Sequence, residues 1–113
     1  SGRMQKTSLT ALTRELLEDA LRSTSGRSAR TVYGGHERSL RQTVMALAAG
    51  QTMSEHQNPG EATLYVLRGR ITLTAGATSW PGMAGDHLIV PEGQHSIEAI
   101  EDSAILLTVA KLP

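Results

Sequence analysis

From residue 27 onward the chain never runs far before meeting a turn residue. Breaks fall at Gly34-Gly35, Ala49-Gly50, Asn58-Pro59-Gly60, Arg68-Gly69, Ala75-Gly76, Pro81-Gly82, Gly85-Asp86, Pro91 to Gly93 and Glu101-Asp102. Between them lie the short β-prone runs ARTVY, LRQTVMAL, TLYVL, RITLTA, HLIV, SIEAI and AILLTVA. Short strands with turn signals at even spacing predict a sandwich or closed barrel, in which the glycines supply the positive φ that tight hairpins need.

Residues 7 to 23, TSLTALTRELLEDALRS, follow another period. Leu9, Leu12, Leu16 and Ala20, flanked by Leu17 and Leu21, fall on one stripe, with Arg14, Glu15, Glu18 and Asp19 opposite. That is an amphipathic helix, started by Thr7 or Ser8 and ended by the small polar run Ser23 to Gly26. The organisation expected is a tail over 1–6, a helix over 7–24 and a barrel over 27–113, within one domain. Ser1-Gly2 ahead of Arg3-Met4 reads as the remnant of a cleaved tag.

A chain of 113 residues is long enough for one core without staples, and it has no cysteine for a disulfide or a thiolate metal site. Eleven basic residues balance eleven acidic ones. That neutrality argues against nucleic acid as a partner, as does the scarcity of aromatic residues on which bases would stack. Eight of the basic residues precede residue 51 and seven of the acidic ones follow it, a pattern read as complementary surface patches. No apolar run reaches the length of a membrane span, so no membrane partner and a cytoplasmic location are expected. With no Phe, one Trp and two Tyr, the core must be built from aliphatic residues and Met.

Two motifs then give the chain a resemblance. Gly50 is followed after five residues by His56, then Asn58, Ala62 and, after six more residues, Gly69. Gly85 is followed by Pro91, Gly93 and His95. In spacing and order these resemble the two motifs of the cupin family, over about residues 38 to 110. The second is one residue shorter than usual between its last Gly and its His. The resemblance implies an all-β double-stranded β-helix, or jelly-roll barrel, preceded here by one helix. In complete motifs two His and a Glu from the first, and a His from the second, hold a divalent metal. Here Asn58 and Ala62 stand at two of those four positions, leaving His56 and His95.

The resemblance therefore implies a pocket formed by His56, Asn58, Ala62, Leu64 and His95, with Gln42 joining if its strand register permits. Loss of the carboxylate removes the charge that offsets a divalent ion, so a degenerate site is expected: one that takes a small molecule, or weakly a metal. The alternative is a metal-dependent oxygenase or isomerase using Zn, Ni, Fe or Mn on His56 and His95, completed by Asn58, His87 or water. The plainer reading of the two imidazoles is a hydrogen-bonded pair in a pocket wall. Whether the chain is an enzyme stays open. His36 is expected at an exposed turn, His87 as a partly buried barrel residue, and Met45, Met53 and Met83 as core filler. Glu61 should point away from Ala62. The uncovered Leu stripe, with the family's habit of pairing through sheets, implies a homodimer.

Overall fold

The computed structural model describes residues 5–55 and 60–111. Helix α1 (Leu9–Arg22) starts where Ser8 Oγ accepts the Ala11 N–H at 3.2 Å, and it ends at Ser23, whose N–H donates to the Ala20 carbonyl. Nine strands follow among the described residues: β1 (Arg27–Tyr33), β2 (Leu40–Leu47), β3 (Thr52–Glu55), β4 (Gly60–Arg68), β5 (Arg70–Ala75), β6 (Thr78–Met83), β7 (His87–Val90), β8 (His95–Ala99) and β9 (Ser103–Lys111). They form two antiparallel sheets, ordered β1-β2-β9-β4-β7 and β3-β8-β5-β6. This is an all-β jelly roll preceded by one helix, as the turn spacing predicts.

Three layers result. Between the sheets lies a core that includes Leu47, Leu64, Val66, Leu73, Ile97, Ile105 and Leu107, every one at most 4% exposed. On the far side of the five-stranded sheet a second core joins Leu12, Leu16, Leu17 and Ala20 of α1 to Val44 and Ala46 of β2. Residues 44–47 of β2 and 104–107 of β9 are thus covered on both faces, which explains why these stretches are apolar without alternation. The Ser28 hydroxyl also donates to the Leu16 carbonyl and ties the helix to β1. The Arg30–Glu15 ion pair beside it, at 2.9 Å, is half exposed and contributes little.

Two strands depart from the expected set. Pro81-Gly82, read as a turn, lies inside β6, where Pro81 pairs with Thr72 and Gly82 with Ile71. β6 is an edge strand, so a proline without a donor is tolerated there. Gly82 faces the core, where an added Cβ would come within 3.0 Å of Leu88 Cδ1. β3 is four residues long, too short for its alternation to stand out. The helix stripe is also narrower than its leucines suggest, because Leu21 is 58% exposed.

Replacing Leu16, 2% exposed, by Ala is expected to lower the unfolding free energy by about 3 kcal/mol in urea titration. Leu21→Ala is expected to change it by less than about 0.5 kcal/mol. Equal costs at the two positions would contradict the packing of α1 described above.

Candidate functional site

Period-two alternation decides which side chains look into the barrel. On β4 the inward residues are Ala62, Leu64 and Val66, all buried, while Glu61 and Tyr65 point out. On β8 they are His95, Ile97 and Ala99. Thus Ala62 and Leu64 enter the interior from one sheet and His95 from the other. Glu61 is exposed on the far side of its strand from Ala62, as expected.

His95 is only 5% exposed, and neither Nδ1 nor Nε2 has a hydrogen-bond partner among the described residues. The core between the sheets, into which His95 points, includes Ala62, Leu64, Val90, Ile97, Leu107 and Val109, with Met45 and Met53 packed against it. An unpartnered buried polar atom costs about 1–3 kcal/mol, and an imidazole has two. The family's carboxylate position is occupied by the methyl group of Ala62, which can neither ligate nor accept.

His56 and Asn58 lie outside the described residues. Two other expected pocket residues are placed elsewhere by the register. Gln42 shares the parity of Val44 and Ala46 and sits on the outer face of β2, where its Nε2 donates to Thr108 Oγ1 at 3.2 Å. Its strand neighbour Thr43 looks inward instead, level with Leu107. His87, the candidate third ligand, pairs with Tyr65 on the outer face of β7 and is exposed rather than partly buried. No group of three or more His, Asp or Glu able to share an ion occurs among the described residues. Among the residues whose side chains are described the interior supplies one imidazole, and the backbone of β3 pairs Glu55 with His95 in register. His36 is exposed at a turn, and Met83 is 50% exposed rather than core filler.

One residue near the site was not singled out from sequence. Trp80 pairs with Leu73 on the inward side of edge strand β6 and remains 38% exposed. With Ala75, Gly76, Pro91, Glu92 and Gln94 it lines a cleft of about 480 Å³ beside the loop that leads into His95. Its being the only Trp in an aromatic-poor chain was the available signal.

The cupin-domain family model matches residues 43–110, more than half of the chain and both motifs. The chain is a cupin. Among solved structures, this cupin resembles a conserved protein of unknown function, SPY1581 from Streptococcus pyogenes. The two are 22% identical with a TM-score of 0.73, over 100% of this chain and 94% of that one. It also resembles KdgF from a Halomonas species, at 17% identity and a TM-score of 0.65 over 77% of this chain and 82% of that one. The Cnp3 cupin domain of Schizosaccharomyces pombe aligns at 22% identity and a TM-score of 0.67, over 76% and 65% of the two chains. At these identities the likeness is one of fold. No curated protein matches the chain in sequence. No helix among the described residues is long and apolar enough to cross a membrane.

Replacing His95 by Leu, which fills a similar space without polar atoms, is expected to raise the unfolding free energy by about 1 kcal/mol. A loss of stability on this substitution would mean that the imidazole is already satisfied in the folded chain.

Proposed function

We propose that this cupin binds a small organic molecule in its barrel, with His95 as the polar group that orients the ligand and without the metal chemistry of complete cupin motifs. The observation that carries this reading is the buried imidazole whose two nitrogens have no partner among the described residues, on the side of β8 that faces the aliphatic core. Pockets of that make-up, apolar walls with few polar groups, suit small ligands, and a neutral imidazole can donate through one nitrogen and accept through the other. The ligand class that fits is a compact molecule with an apolar body and one hydroxyl or carbonyl group. The cleft lined by Trp80, Pro91, Glu92 and Gln94 is the entrance in this proposal.

Metal content separates this reading from a metalloenzyme. Elemental analysis of untagged protein is expected to find far less than one transition-metal ion per chain. About one tightly held Fe, Mn, Ni or Zn would replace the proposal by the metal-dependent one. A screen of small alcohols, ketones and hydroxy acids, read by the fluorescence of the single Trp80, is expected to give saturable binders whose affinity falls at least about tenfold in His95→Leu.

The homodimer belongs to the same proposal. Beyond the helix, the outer face of the five-stranded sheet carries a cross-strand row of uncharged residues: Tyr33, Gln42, Thr108, Thr63 and Ile89. Ile89 is 76% exposed and Tyr65 and Leu40 are each 39% exposed, on an area that a second copy would cover by self-complementary packing. Light scattering is expected to give a dimer for the wild type and a monomer for Ile89→Glu. A monomeric wild type at micromolar concentration would remove the dimer while leaving the barrel reading intact.

A further inference from the structure

By plain alternation from Leu64 and Val66, Arg68 would be the next inward residue of β4. A β-bulge prevents this: Val66 pairs with Ile105, but Arg68 pairs with Ala104, so the register slips by one residue at Leu67. Bulges re-aim side chains in this way. Leu67 packs into the core under α1, and Ala104 faces the same side, opposite Ala46. Arg68 is therefore turned out of the barrel and towards the helix.

The corner behind it is rigid. Gly69 has φ +84°, and a Cβ there would collide with the Ser103 hydroxyl, which accepts the Arg70 N–H at 3.0 Å. Arg70 then leaves in another direction and pairs with Glu101 at 3.3 Å. Facing Arg68 across a cleft of about 230 Å³ are Thr10, Thr13 and Arg14 of α1, with Leu67 as the apolar side.

Three features of this cleft are unfavourable as they stand. Arg14 and Arg68 are like charges lining one small space. Among the described residues neither makes an ion pair, a state they share with Arg27, Arg38 and Arg41. Thr13 is 6% exposed and its Oγ1 has no hydrogen-bond partner, although a helical Thr ordinarily bonds the carbonyl three or four residues back. One kind of ligand relieves all three: an oxyanion that accepts from both guanidinium forks and from the hydroxyl once it turns towards the cleft.

The geometry points to an anion site between α1 and the β4–β5 corner: we propose that it holds a phosphate group, free or carried by a small phosphomonoester, through Arg14, Arg68 and Thr13. The site lies on the opposite face of β4 from Ala62 and Leu64, so it stands apart from the barrel reading.

Isothermal titration of the full chain with inorganic phosphate and with glycerol phosphate, at constant ionic strength set by chloride, tests it. Saturable binding of at least one is expected, weakened at least about tenfold in the Arg14→Gln/Arg68→Gln double variant. Thr13→Val, which keeps shape and loses the hydroxyl, is expected to weaken it as well. Tighter binding of the ester assigns the site to a phosphorylated metabolite; tighter binding of inorganic phosphate assigns it to the free ion. Melting temperatures give a second readout that a merely structural role would not reproduce. In chloride the double variant is expected to melt no lower than the wild type, because a like-charge pair has gone. Phosphate is expected to raise the wild type further than the variant. No saturable uptake by the wild type, or uptake unchanged in the folded variants, overturns the proposal.

Discussion

The middle of the five-stranded sheet, residues 44–47 of β2 beside 104–107 of β9, is covered on both faces, and the rest of the molecule follows from that. β2 and β9 lie next to one another between the barrel interior and α1, so side chains of both parities must be apolar. Val44 and Ala46 look to the helix while Met45 and Leu47 look to the barrel. A register slip of one residue would exchange these sets, yet both sets would still be buried. What holds the register is therefore packing on two fronts together with the turns, rather than a simple contrast between a wet and a dry face. The helix is then part of the core and not an appendage, because the carbonyl of Leu16 and the side chains around it close the outer layer.

Within that frame the interior contains a single group whose presence packing alone does not explain. The described hydrophobic residues of that core are aliphatic or thioethers, and Thr43 looks in level with Leu107. Natural chains keep such locally unfavourable residues where something other than stability is served. The methyl of Ala62 in the carboxylate position of the family motif makes the same point from the other wall.

Much of the fold was legible in the chain. The helix, its Ser8 cap and seven of the nine strands follow from periodicity and turn residues. β6 was hidden because Pro81-Gly82 reads as a turn, and only its place at a sheet edge, with Gly82 pressed against Leu88 and Val66, makes those residues compatible with a strand. β3 was hidden by its brevity. The inward direction of His95, Ala62 and Leu64 was legible because the family motifs carry strand positions with them. Gln42 and His87 were not, because a residue named in isolation could occupy either face.

By itself, then, the sequence determined the class of fold, the order of helix and strands, and the identity of the groups available for chemistry: few histidines, no thiol, and Asn58 and Ala62 where donors would be expected. Only the tertiary structure decided where those groups point. It put His95 inward without a described partner, turned Gln42 and His87 outward, and brought Arg68 round to Arg14 and Thr13. The reason is geometric. A strand shows alternate residues to opposite faces, so one bulge or one step of register reverses a side chain's surroundings, and that step is settled by packing between segments far apart in the chain.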